Sequence, residues 1–319
     1  MQNDVHFTVL IPTRPQPDTI VAIFLLTAFG EEKFPGISDA RVEVRHELAP
    51  GETFDSLLKE RVLALDVGGG PLDHHGKEEC TSELVARYLN IDKDPALAPM
   101  LAYARRDDKE GKGIISKDSI DRAFGLSGLV GSLNKTYTNE PQKIVDAVLP
   151  LLRAQYNASR EHHVELPQEV ERKKASGHYE HAEVRQGNRM LTVAFVVSDK
   201  PSMPSYLRST AGGRFDVIVQ KSEETDHYCV LSRQERKVDL SKVAALIRLR
   251  EGELRGLDVG SDADTLGAKG RFDAIPMWYV DPATNSILNG GPHNRSVEES
   301  KIPWDEMKKI AVVGLELGS

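Results

Sequence analysis

Cysteine is scarce in this chain, which carries only Cys80 and Cys229. Two thiols build neither a disulfide framework nor a thiolate zinc site, and such a chain suits a reducing cytoplasm. Long apolar runs are missing as well. The longest candidate, residues 20–29, is about half of the roughly 18–20 residues that a bilayer span requires, so it reads as a buried helix and no membrane partner is expected. The opening residues, Met1 to Asp4, lack the basic-then-apolar layout of a signal peptide. Nor is there a basic excess: 41 Lys and Arg face 49 Asp and Glu, a net charge of −8. Proteins that coat a long duplex usually carry a basic balance, because counterion release drives that binding. A short or small phosphorylated substrate, gripped locally, agrees better with the charge. What the chain does have is length: 319 residues at 39% hydrophobic and 28% charged suffice for two ordinary domains, each with its own core.

The N-terminal part alternates strand and helix signals. Residues 8–13 are a β-branched apolar run, read as a buried strand. The prolines Pro15 and Pro17 then delay a helix until Asp18, which is placed to cap residues 19–29. Residues 40–46 and 61–66 are further strand candidates, and Gly68, Gly69, Gly70 and Pro71 break the last of them. A helix follows from Cys80 to Leu89, with Thr81 or Ser82 as its cap. This order predicts an α/β domain with a doubly wound, mainly parallel sheet. Residues 95–156 read as mostly helical, which closes the first domain at 1–156. Residues 157–188 are polar and charge-dense and read as a helical or extended linker ending the first domain; the pair His162-His163 within it reads as a surface feature.

The remaining residues, 189–319, predict a smaller α+β domain for substrate binding or dimerisation. They hold a weak internal repeat. Gly-Arg-Phe-Asp occurs at 213–216 and again at 270–273, each time ahead of two strand signals and a helix, which suggests a ββα duplication. Arg214 and Arg271 open the two copies, and they serve either as substrate contacts or as strand-end charges.

Candidate chemistry concentrates at one sheet edge. In open α/β sheets, ligands bind beyond the carboxyl ends of the strands. Asp66 ends one predicted strand, and Asp18 follows another. Asp73, His74 and His75 come after a tight Gly/Pro turn that returns the chain to the same edge. Paired carboxylates with imidazole suit Mn²⁺, Fe²⁺ or Zn²⁺ better than Ca²⁺. Gly68, Gly69 and Gly70 either form a turn or let backbone N–H groups approach a phosphate.

The run Leu65-Asp66-Val67-Gly68-Gly69, then Asp73-His74-His75, then residues 81–89, resembles the DHH phosphoesterase superfamily. The likeness is closest to its melanocyte-proliferating-gene and RecJ-like branch and spans about residues 8–110. The resemblance implies that Asp66 bridges metals, that His74 ligates one and that His75 contacts the scissile phosphate. It further implies that Asp73 orients a histidine, and that Asp107 or Asp108 completes a metal site. One or two ions per chain, Mn²⁺ or else Mg²⁺, Fe²⁺ or Zn²⁺, are the implied cofactor. Superfamily members often place a Gly-rich substrate grip in the second domain, of which residues 290–295, with His293 and Arg295, are a loose echo.

The first family motif, His-x-x-Pro-Asp-x-Asp-Ala, departs here. Asp18 keeps its place, but Arg14 and Ile20 stand where metal ligands are expected. An arginine 4 Å from a metal would repel each unit of its charge by about 4 kcal/mol at an effective dielectric near 20. The expectation is therefore a single ion, with Arg14 turned inward to clamp phosphate in place of a second. The leading reading is a metal-dependent phosphodiesterase that cleaves short single-stranded nucleic acid or nucleotides with metal-activated water. The alternatives are a catalytically impaired nucleotide- or RNA-binding relative and a pyrophosphatase-like small-molecule hydrolase. A duplicated second domain would equally serve a homodimer.

Overall fold

The computed structural model describes residues 6–111, 116–290 and 296–318. The chain forms two compact units, Met1–Val164 and Glu165–Ser319. In the first, β1 (Thr8–Ile11), β2 (Arg41–Val44) and β3 (Val62–Ala64) make a parallel sheet in the order β2-β1-β3. β1 is central, with Leu10 in register with both Glu43 and Ala64.

Strand alternation decides what covers each face. Val9, Ile11 and Leu63 point into a large core with α1 (Pro17–Phe29), whose residues 20–26 are all buried. α3 (Thr81–Tyr88) and α4 (Ala98–Glu110) pack against α1 in that same core, as do α6 (Leu126–Thr136) and α7 (Pro141–Arg160). Between α4 and α6 lies the short, exposed α5 (Ser119–Phe124). Leu10 and Ala64 point the other way, onto Leu57 of α2 (Phe54–Lys59) and Val67. Helices thus lie on both faces of a parallel sheet, a mixed α/β arrangement of only three strands.

The second unit is a seven-stranded mixed sheet. Its strands are β4 (Tyr179–Gln186), β5 (Arg189–Val197), β6 (Val217–Lys221), β7 (Tyr228–Ser232), β8 (Gly270–Arg271), β9 (Tyr279–Asp281) and β10 (Ser286–Asn289), in the order β4-β5-β6-β7-β10-β9-β8. Among the described residues of this sheet only β5 and β6 pair in parallel, and α9 (Met203–Arg208) lies on the connection between them. Val193, Phe195, Val217 and Val219 face a core with α10 (Ser241–Arg255) and α12 (Trp304–Glu316). Ala194, Val196 and Ile218 face α8 (Leu166–Ala175) and α9. A single turn, α11 (Ala263–Leu266), precedes β8.

Three expectations change. Residues 157–188, expected as a helical or extended linker, hold the end of α7, a π-helical turn at Glu161–Glu165 with His162 and His163, α8, and the edge strand β4, and from Glu165 they belong to the second unit. The repeat keeps its strand–strand–helix order, with β6, β7 and α10 answered by β9, β10 and α12. The second Gly-Arg-Phe-Asp does not lead straight into its strand, however. Gly270–Arg271 themselves pair with β9, and residues 273–277 turn. Finally, α1 begins at Pro17 with Gln16 as N-cap, so Asp18 does not cap its own helix.

Candidate metal centre

β1 and β3 are neighbours, and the loops leaving their carboxyl ends carry residues 12–16 and Asp66. Leu65 N–H donates to the Leu10 carbonyl (2.9 Å), which extends the pairing one residue beyond β3. Asp66 then adopts a left-handed backbone (φ 58°) and donates its N–H to Leu72 O (3.0 Å). Left-handed geometry costs a non-glycine residue about 1–2 kcal/mol and recurs where a side chain must be aimed. The following turn passes through left-handed Gly68 and Gly69 and delivers Asp73, His74 and His75 to the edge.

Asp18, Asp66, His74, His75, Asp107 and Asp108 line one cavity of about 290 Å³, together with Pro12, Thr13, Gln16 and Thr19. His74 is its hub. Its Nε2 lies 3.0 Å from Asp66 Oδ1, and its Nδ1 lies 3.4 Å from Asp108 Oδ2. Two triads could each hold a metal ion, Asp66-His74-His75 and Asp18-His74-Asp108. Asp18 and Asp66 thus share the cavity and His74 but fall in different triads. Asp66 Oδ1 and His74 Nδ1 are both buried and form no hydrogen bond, despite those short distances. Burial pushes the Asp66 carboxyl up; His74 and His75 oppose the rise, and Asp73 and Asp18 add to it. Burial is what the two imidazoles leave unbalanced; the neighbouring carboxylates add less than the imidazoles take away.

His75 behaves differently from His74. Its side chain is 72% exposed, and its ring Nδ1 lies 2.7 Å from Asp73 Oδ1. Asp73 also accepts from Gly69 N–H (2.7 Å) and His75 N–H (3.0 Å). Burial alone would raise the Asp73 carboxyl, but these hydrogen bonds outweigh it and hold the group below its ordinary value. The bond from Asp73, with the charges of Asp66 and Asp73, raises the His75 imidazole. Asp73 therefore orients His75, and its ionised carboxylate places the Nδ1 proton between them, which leaves Nε2 free.

No family model matches the chain, and a search of curated proteins found no match.

Asp18 and Asp107 have further partners, and several other expected site residues stand outside the cavity. Asp18 is buried and caps α3: Thr81 N–H and Ser82 N–H donate to its two oxygens (2.9 and 3.0 Å). Neither Thr81 nor Ser82 serves as the cap, whose position is taken by Cys80. Asp107 accepts from Ser127 Oγ (2.6 Å), whereas Asp108 faces His74. Arg14 is exposed and lines neighbouring cavities instead of this one, so it does not turn inward. Ile20 is wholly buried in the core. Gly68, Gly69 and Gly70 are absent from the cavity wall, and Gly69 N–H is taken by Asp73. Gly68 is favoured by its positive φ (81°); an added Cβ would also meet the movable end of the Leu48 side chain. Arg214 and Arg271 are exposed in the second unit. His293 and Arg295 lie outside the described residues. Among the described residues, no helix is long and apolar enough to cross a membrane.

Sequence reasoning missed Ser127, Gln16 and the target of Asp18. A usable signal existed for the last: α3 starts after Cys80, a poor capping residue, so its first N–H groups need an acceptor from elsewhere in the chain.

Proposed function

We propose that the chain is a metal-dependent phosphoesterase of the DHH type. On this reading it hydrolyses short single-stranded nucleic acid or nucleotides, with one divalent ion per chain at Asp66 and His74. One observation carries it: among the described residues Asp66 Oδ1 and His74 Nδ1 are buried without a hydrogen bond, in a cavity of four carboxylates and two imidazoles that meet at ion-pair distance. A buried polar atom without a partner costs about 1–3 kcal/mol. A dication beside Asp66 Oδ1 and His74 Nε2 would give that carboxylate oxygen its partner and leave the Nδ1–H of His74 to donate to Asp108. The donor set favours Mn²⁺, Fe²⁺ or Zn²⁺, with Mg²⁺ behind them.

His74 supports one ion over two. An imidazole that gives one nitrogen to an ion keeps the other as an N–H donor, and here each nitrogen faces a carboxylate. With Nε2 on the ion beside Asp66, Nδ1–H is left to Asp108, which becomes the orienting acceptor. Arg14 and Ile20 contribute no further ligand. When bound, such an ion supplies Lewis acidity and lowers the pKa of a coordinated water. The remaining roles belong to the protein. His75, fixed by Asp73, lines the cavity, where a protonated ring would offset charge on a phosphate oxygen. Asp18 ties the site to the start of α3 and so keeps the two loops together.

The departures at Arg14 and Ile20 also favour a second reading, a nucleotide- or RNA-binding protein without turnover. Incubation with Mn²⁺ and a panel of short single-stranded RNA, DNA, cyclic dinucleotides and pyrophosphate, alongside His74→Ala, separates them. Oligonucleotide hydrolysis abolished by the substitution is expected. Tight binding without hydrolysis would replace the enzyme with the binder, and cleavage of pyrophosphate alone would replace the substrate class.

A further inference from the structure

The metal-centre cavity does not end at its carboxylates. Gln16 and Asp107, two of its lining residues, also line a second cavity of about 450 Å³, whose wall includes Arg14, Ser127, Ser132 and Lys135. Arg14, Pro15, Asn134 and Lys135 in turn line a third, of about 990 Å³, which continues to Val42, Val44, His46 and Tyr137. All three lie within the first unit.

Arg14 and Lys135 share the wall for a stated reason. Asn134 Nδ2 donates to the Pro15 carbonyl (2.7 Å) and to Val130 O (3.0 Å), which ties the loop after β1 to α6 beside Lys135. Both cations are exposed. Among the described residues neither side chain makes an ion pair, unlike Arg45, Arg87, Arg105 and Lys143, each held by a glutamate. The nearby acids confine where an anion can sit. Asp107 is engaged by Ser127 at the near end. Glu43 and Glu140 stand at the far end, where the wall also carries Val42, Val44, Ile144 and the rings of Tyr137 and His46 beside the uncharged Thr138 and Asn139, and Glu140 is paired with Lys143. A chain of phosphates alone would be repelled there; a base would not.

We infer that Arg14 and Lys135 form a backbone-binding step for single-stranded oligonucleotide, next to the metal centre. The nucleotide flanking the scissile position places its phosphate against these two cations and its base in the cavity of Tyr137 and His46. This rests on the phosphoesterase reading for its direction but not for its measurement.

The test is fluorescence polarisation of a labelled single-stranded RNA pentamer in EDTA, with wild type, Arg14→Ala, Lys135→Ala, the double variant and Lys59→Ala, which lines none of the three cavities. Loss of each charged contact should weaken binding about tenfold. It should also reduce the slope of log affinity against log salt by about 0.7, the single-strand value per phosphate. Lys59→Ala should bind as wild type does. Equal pentamer affinity and equal slopes across all variants would overturn the inference, as would no pentamer binding by wild type. Because EDTA removes the need for an ion, the two claims fail separately. Binding through Arg14 and Lys135 without turnover in Mn²⁺ would sink the hydrolase alone. Turnover with variant-independent pentamer binding would sink the step alone.

Discussion

Asp18→Asn separates two jobs that one carboxylate holds. Both Asp18 oxygens accept backbone N–H groups at the start of α3, from Thr81 and Ser82. The amide keeps one acceptor and presents an NH₂ group to the other N–H, so one charge-assisted bond is lost, about 1.5–3 kcal/mol. The negative charge at a helix N-terminus goes too, up to about 2 kcal/mol in a partly buried setting. Relief of carboxylate crowding around Asp66 works the other way, which leaves a net loss of about 2–3 kcal/mol. For a unit of this size each kcal/mol lowers the melting temperature by about 2–4 °C, so a drop of about 4–12 °C is expected. The measurement is thermal melting in EDTA, where no ion contributes. A variant that melts with wild type there would refute the cap.

Glu251 is buried and accepts from Trp278 Nε1 (3.0 Å), Ser300 Oγ (2.6 Å), Lys301 N–H (3.0 Å) and Arg255 Nε (2.7 Å). Burial would raise its carboxyl, but these donors outweigh burial and lower it. Its contribution is complete above the ordinary carboxylate range and lost as pH falls through the lowered folded value. Glu251→Gln should thus cost about 3 kcal/mol in urea denaturation at neutral pH, a gap that narrows in acid; a gap that widens in acid would contradict the sign. Asp108→Asn should weaken Mn²⁺ binding about 10–100-fold in calorimetry, and Asp107→Asn far less; equal losses would reverse the choice between them. Burial pushes the Cys80 thiol up to about 12, so at pH 8 roughly one thiol in 10⁴ is thiolate. Mass spectrometry should find Cys80 unalkylated in the native protein and alkylated after denaturation; fast native labelling would contradict its burial.

The candidate site was legible where local pattern dictates geometry. An apolar strand ending in Asp66, followed by glycines that permit a tight reversal, brings His74 and His75 to the edge where the loop after β1 also emerges. What was not legible depends on distant partners. The Asp18 carboxylate is claimed by N–H groups more than 60 residues away, and the outward course of Arg14 follows from the tie between Pro15 and Asn134. Asp107 and Asp108 are adjacent in sequence, yet about 100° of helical rotation separates them, so one meets Ser127 and the other His74. The charge of residues 157–188 read as a linker because edge strands such as β4 carry polar residues on both faces.

Metal content tests the central claim most directly. Protein loaded with Mn²⁺, desalted and assayed by elemental analysis should hold one ion per chain, and Asp66→Ala and His74→Ala should hold none. Two ions per wild-type chain, or one retained without Asp66 or His74, would contradict the account.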